Sequence, residues 1–388
     1  MNQQPRYAFL DLYRALFVVL MVEGHVVRGL LDVSAHSGFG FDLHEMLHGI
    51  TAPGFLFGAG FAFAIATQRR SQQLQTLTPH FLRRLWRAVQ LILIGYALHL
   101  PYFSIEKTFT QATPQQWLDF LNFGILQCIG VGLLLLRLLY LMLKTDARFL
   151  SAIGILIVLT VYVTPVLWSQ EISASLPQVL GMAVNGLQGS FFPLFPFVAF
   201  LLSGVFVSWI FLRAAQTERE HLVMRWLPVA GLVLIGGGFV LDFLPFQSYA
   251  SYNFWFTSPN YFWIRLGVLL LLMSGFWYLE TSLGRHPSSV LWKPQWLVTI
   301  GIESFFVYIV HLVLVHGWLT NPGFDLETLI GPTLGWFSSL VIAAGLIAVL
   351  AALASGWRFL KRSHPPILQG LIWWFWFMFL YIFLRNPY

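Results

Sequence analysis

Apolar stretches of about 20 residues, the length that crosses roughly 30 Å of hydrocarbon as a helix, recur from one end of this chain to the other. The runs fall at 8–28, 47–67, 86–103, 119–142, 149–168, 190–212, 226–244, 261–280, 296–317, 332–355 and 367–385. Little sequence remains between them, so no separate water-soluble domain fits. Only 10% of the residues are charged, against about one quarter in soluble domains, which removes the soluble alternative. The expectation is an all-α polytopic transmembrane bundle of about eleven helices, a single domain over residues 1–388. No small-residue cleavage signal follows the first run, so it reads as a retained helix rather than a signal peptide.

A net charge of +6 would suggest nucleic acid in a soluble chain, but here the basic residues cluster in the short loops. With the N-terminus inside, sixteen of the 22 lysines and arginines fall on the inner side. Arg28, Lys107 and Arg385 fall outside, and Arg14, Arg137 and Arg265 lie within spans. That asymmetry follows the positive-inside bias and predicts N-in, C-out, with membrane lipids and no nucleic acid as partners. The single cysteine, Cys128, lies in an apolar run and permits no internal disulfide. The outward loops are the longer ones, rich in Gly, Pro, Asn and Ser, and suited to roof a site.

Ionisable side chains inside lipid are costly, which makes each a candidate for function. Asp11 and Arg14 stand i, i+3 on the first helix, spaced to pair near its inner end. Glu23 and His25 lie near the other end of that helix, His25 about 16 Å from Arg14 at 1.5 Å per residue. His36, His44 and His48 follow, so four of the eleven histidines crowd into residues 25–48. Imidazole titrates near neutral pH and serves as a general base. His44, Glu45 and His48 spell H-E-x-x-H, the pattern in which two histidines on one helical face bind zinc and the glutamate activates water. Gly49 and Pro53 follow closely, the motif sits at a membrane edge rather than mid-helix, and a third ligand such as Asp242 has no supporting context, so an intramembrane zinc protease stays an alternative and no metal is expected. Arg265 lies in the eighth span and Glu303, Tyr308 and His311 in the ninth, where spacing gathers 304, 308 and 311 on one face of a polar-lined cavity. Arg83, Arg84 and Arg87 open the third span, either holding phosphates or marking the inner side.

Five segments together carry a family resemblance: FLDLYRALFVVLMVEGH at 9–25, HGITAPGFLFGAGFAFAIA at 48–66, FGILQCIGVGLLL at 123–135, FFPLFPFVAFLLSG at 191–204 and IGIESFFVYIVH at 300–311. In order and spacing the chain resembles the bacterial heparan-alpha-glucosaminide N-acetyltransferase-like family of transmembrane acyltransferases, with Ala15 where the opening motif usually has glycine. The resemblance implies a protein of the bacterial cytoplasmic membrane. It takes acetyl-CoA or another acyl-CoA from the cytoplasm and delivers the acyl group to a glycan or small-molecule acceptor at the opposite face. It sets His25 at the polar end of the first helix, matches His36 by spacing to the family's catalytic histidine, and lets His44 or His48 substitute because the loop is longer. Arg14 matches the arginine at the CoA entrance, and His311 ends the late motif, in which Glu303 replaces a neutral polar residue.

The resulting assignment is an acyltransferase with His25, His36, His48 and Glu23 as catalytic groups and Arg14, Arg83, Arg84 and Arg87 holding the acyl-CoA. Asp11, Gln127, Arg265, Glu303, Tyr308 and His311 contact substrate, and Tyr308, Ser304, Gln127 or backbone amides near Gly49 are the candidate oxyanion donors. A homo-oligomer is compatible with it. A transporter or lipid-binding protein, its buried charges lining a path, is the third class.

Overall fold

The computed structural model describes residues 7–68, 78–244, 252–284, 295–318 and 323–386. Arg6, Arg69, Arg70, Arg285 and Lys293, part of the charge asymmetry, lie outside them. Among the described residues every regular element is helical, and the only strand-like pairing is an isolated bridge between Leu31 and Leu334. This is what lipid requires, since a helix satisfies its backbone within one segment.

The elements are α1 (Ala8–Leu30), a 3-10 turn η1 (Val33–Ala35), α2 (Phe39–His48), α3 (Thr51–Gln68), α4 (Pro79–Ala97), α5 (Ile105–Thr110), α6 (Pro114–Leu121), α7 (Ile125–Leu143) and α8 (Asp146–Leu167). They continue as α9 (Gln170–Ser175), α10 (Gln178–Val184), α11 (Leu194–Ala215), α12 (Glu220–Phe243), α13 (Pro259–Gly284), α14 (Gln295–Ile302), α15 (Ser304–His316), α16 (Leu326–Ile330), α17 (Trp336–Ser363) and α18 (Pro365–Arg385). Among the described residues eight helical segments, α2 with α3 counted as one, are long and apolar enough to cross a membrane, and the bent pair α14 and α15 passes the same test only if taken together as one span. α1 and α4 have the length, 23 and 19 residues, but are richer in charge. The chain is therefore an integral membrane protein.

Three boundaries differ from the hydropathy reading for local reasons. Residues 39–46, expected as loop, belong to α2, which starts after Gly38 at φ 90°, a conformation a side chain resists. The run 119–142 breaks between α6 and α7, where Asn122 donates to the Gly189 carbonyl (2.8 Å) and the Phe123 amide donates to Ser190 Oγ (3.1 Å). The run 296–317 bends by 86° at Glu303, between α14 and α15.

The chain folds as two compact units. The first, residues 1–51, 98–120 and 279–388, is built on α1, which packs against α14, α15 and α17. The Ala8 and Phe9 amides at its start donate to the Glu280 carboxylate (3.2 and 2.7 Å), which satisfies orphan N–H groups at the positive end of the helix. At the bend, Glu303 is buried and accepts from Lys361 Nζ at 3.1 and 3.4 Å, while Arg358 donates to Thr299 Oγ1 (2.8 Å). Removing the cation from a buried carboxylate is destabilising, but the Lys361 side chain is 57% exposed and water replaces part of the contact. Lys361→Met is expected to cost about 1–2 kcal/mol, read as a lower unfolding temperature in detergent.

The second unit, residues 52–97 and 121–278, centres on α11, which packs against α7, α8 and α12. α3 meets α11 through glycines. A Cβ on Gly60 would overlap the Leu201 carbonyl, and one on Gly204 the Phe57 carbonyl. Ser208 then reaches across to donate to the Phe61 carbonyl (3.1 Å). Small residues bring helix backbones close where lipid gives no hydrophobic drive to associate.

Candidate functional site

The first unit gathers histidines at the C-terminal end of α1. Glu23 and His25, two residues apart on one helix, project in different directions. Each organises its own group.

Around Glu23 stand His44 and His48. Their i, i+4 spacing on α2 puts both rings on one face, 4.1 Å between centroids. His48 Nε2 lies 2.6 Å from Glu23 Oε2 and His44 Nε2 lies 3.2 Å from Glu23 Oε1. One ligand-type atom from each of the three falls within 4.8 Å of the others. Gly24 makes this possible, because a Cβ there would sit 2.5 Å from His48 Nδ1. The ring lies against bare α1 backbone.

The expected H-E-x-x-H trio is rearranged. Glu45 is not turned into the space between the two histidines; Arg28 Nε donates to its Oε1 (2.8 Å) and Arg28 Nη2 pairs with Oε2. Glu23, from another helix, takes the third position. A zinc protease whose Glu45 activates water is not the arrangement formed.

Around His25 the hydrogen bonds run through His316 of α15 to Glu327 of α16. His25 Nδ1 is 2.8 Å from His316 Nε2, and His316 Nδ1 is 2.7 Å from Glu327 Oε2. A carboxylate only accepts, so with one proton per ring His316 donates through Nδ1. Its Nε2 then accepts from His25 Nδ1–H. The lone pair of His25 therefore sits on Nε2. His311 completes the group, its ring 5.2 Å from that of His25 and 5.6 Å from that of Tyr308. It is fully buried, Nδ1 donates to the Val307 carbonyl (3.1 Å), and Nε2 has no hydrogen-bond partner among the described residues.

His36 follows η1, stacked on Phe41 (5.0 Å), with Nε2 buried and unpartnered among the described residues. Phe41 in turn lies 6.3 Å from His44, and Trp336 at the start of α17 meets His44 edge-on at 5.5 Å. Asp32 caps η1 and holds Ser34 by side chain and amide (2.5 and 2.8 Å), hydrogen bonds that keep its exposed carboxyl below the usual range.

The remaining expected residues lie elsewhere. Asp11 and Arg14 are in the first half of α1, and Asp11 is buried. Glu303 is engaged at the bend with Lys361. Gln127, in the second unit, is buried against Gly95. Arg265, also in the second unit, lies 3.8 Å over the Tyr261 ring. Arg83 is held by the Pro79 carbonyl and His80, Arg84 by the Ala66 carbonyl, and Arg87 is exposed. Arg84 and Arg87 act electrostatically on the buried Arg137, which the sequence reading counted only as part of a span and which lies over the Phe63 ring.

His316 and Glu327 were missed. His316 is five residues beyond His311, off its helical face, so periodicity does not flag it. Glu327 sits on a short helix whose sequence signal is readable: Asp325 caps it by accepting from the Thr328 amide (2.8 Å). Nothing local says that this helix meets α1.

Comparison with known proteins places these features. No curated protein matches the chain. The family model for heparan-alpha-glucosaminide N-acetyltransferase, catalytic, matches residues 6–247. That region takes in α1, α2 and the Glu23 group and stops before α15 and α16. Because the match covers well over half of the sequence, the chain belongs to the heparan-alpha-glucosaminide N-acetyltransferase catalytic family, a family of membrane acetyltransferases.

Proposed function

We propose that the protein is a membrane acetyltransferase that uses acetyl-CoA and acylates an amine or hydroxyl of a glycan. The observation that carries this reading is the one-way hydrogen-bond chain Glu327, His316, His25, which leaves the lone pair on His25 Nε2. It follows the logic of a carboxylate fixing the tautomer of a catalytic imidazole, here through a second imidazole.

In the reaction, His25 Nε2 removes a proton from the acceptor as its nitrogen or oxygen attacks the thioester carbonyl. The carbon–sulfur bond breaks, the CoA thiolate leaves, and the proton on His25 passes to it. Tyr308, near His311, supplies an O–H for the developing oxyanion. His36, the residue that matches the family's catalytic histidine by spacing, is the rival for the base. Arg14 binds the donor's phosphates, and its separation from His25 along α1, eleven residues or about 16 Å, is the reach required of the thioester arm. Arg83, Arg84 and Arg87, with Arg137, form a second cationic group suited to phosphates, including those of lipid.

This reading includes eleven crossings in one functional domain, N-in and C-out, in a cytoplasmic membrane. The nine candidate spans together with α1 and α4 support that count. The test is transfer of radiolabelled acetyl from acetyl-CoA to a terminal glucosamine glycoside by purified protein in detergent. Label in the glycoside with release of one thiol per transfer is the expected result. No transfer to amine or hydroxyl glycosides by protein that binds no acetyl-CoA at millimolar concentration overturns it.

A further inference from the structure

We propose that Glu23, His44 and His48 hold one divalent transition-metal ion of the zinc class. The inference stands on its own geometry and does not depend on the chemistry assigned to His25.

The donor set comes first. Two imidazoles and one carboxylate are borderline ligands that suit zinc, and three protein ligands leave a fourth tetrahedral position for water or a substrate oxygen. Ligands 2.0–2.1 Å from a tetrahedral ion stand about 3.4 Å from one another. The separations here, 2.6 Å for His48 Nε2 to Glu23 and 3.2 Å for His44 Nε2 to Glu23, are both shorter than that spacing, so the ligands must open by less than about 1 Å to admit the ion. Both contacts use Nε2, so the two rings present the same nitrogen toward one point.

The charge pattern around His44 gives an independent reason. Its Nε2 faces Glu23 Oε1, and its Nδ1, 3.7 Å from Glu45 Oε1, has no hydrogen-bond partner among the described residues. A neutral imidazole carries one N–H and one lone pair. Whichever tautomer it adopts, a lone pair is directed at a carboxylate. A cation between Nε2 and Glu23 resolves the conflict, with Nδ1–H then directed to Glu45. This is the outer support typical of metal-bound histidine, a carboxylate behind the ring that fixes its tautomer. Glu45 is itself oriented by Arg28. Gly24 removes the side chain that would displace the His48 ring, and the three ligand side chains are 20%, 10% and 11% exposed.

The experiment strips the full-length protein in detergent with a chelator, re-equilibrates it with zinc(II) or cobalt(II), removes excess ion and counts bound metal by mass spectrometry. Wild type is expected to retain one ion per chain and to gain unfolding temperature with zinc. Glu23→Gln and His48→Gln are expected to lose both effects. Glu45→Gln, which leaves the ligands intact, is expected to weaken binding about 10- to 100-fold. His25→Asn is expected to keep the metal whatever it does to acetyl transfer, so the two proposals fail separately. Should the ligand variants fail to fold, cobalt(II) added to wild type must give the visible bands of a four- or five-coordinate site. A folded wild type that takes up no metal overturns the proposal. Retention of the metal by folded Glu23→Gln and His48→Gln, or absence of the cobalt bands at saturation, also overturns it.

Discussion

His25→Asn lowers acetyl transfer by about 10²–10⁴-fold, the contribution a positioned general base makes. Asparagine keeps a polar group of similar size at the end of α1, so His316 retains a partner, and the variant loses the basic lone pair rather than the fold. The loss is expected in kcat, with the apparent affinity for acetyl-CoA little changed, because Arg14, proposed to bind the donor's phosphates, lies in the other half of α1. Glu327→Gln gives the second reading of the same chain. A carboxamide accepts one hydrogen bond without the negative charge, and losing a charge-assisted bond worth about 1.5–3 kcal/mol corresponds to about a ten- to hundredfold lower rate. The double variant should be little worse than His25→Asn alone, since Glu327 acts only through the imidazoles. Full activity in His25→Asn with loss in His36→Asn would move the base to the loop histidine that the family resemblance first indicated.

What the sequence made legible follows from which interactions are local. Helix class and membrane insertion depend on runs of neighbours, and the spans were readable because lipid leaves the backbone no alternative. The bend at Glu303 was not, because it is held by Lys361, 58 residues away in sequence. The Glu23 group was half visible. His44 and His48 announce a shared face by their i, i+4 spacing, but their partner comes from α1 and displaces Glu45, whose charge is taken by Arg28. Arg28 itself was read only as a topological marker. The His25 group was less visible still: His25 and His311 each stood out as ionisable groups in apolar runs, whereas His316 and Glu327 become functional only when α15 and α16 pack against α1. Chemistry assembled across 291 residues between His25 and His316 has no periodic signal.

The largest structural effect is expected where α3 crosses α11. Gly60→Leu and Gly204→Leu each place a side chain where a backbone carbonyl already sits, that of Leu201 or of Phe57, and a carbonyl in a helix cannot step aside as a flexible side chain can. The helices must separate, which undoes the Ser208 bond to the Phe61 carbonyl and loosens the buried contacts of Phe57, Phe61 and Leu201. Overpacking of a tight core costs typically 1–3 kcal/mol, and a forced separation of two backbones puts these variants at about 3 kcal/mol or more. Gly237→Ala is the matched control, on α12 with nothing within 4 Å of the added Cβ, and is expected to leave stability unchanged or raise it by up to about 1 kcal/mol through helix propensity. Size-exclusion profiles and thermal unfolding in detergent separate the outcomes. Gly60→Leu or Gly204→Leu unfolding at the wild-type temperature would mean that the crossing is not packed at this distance.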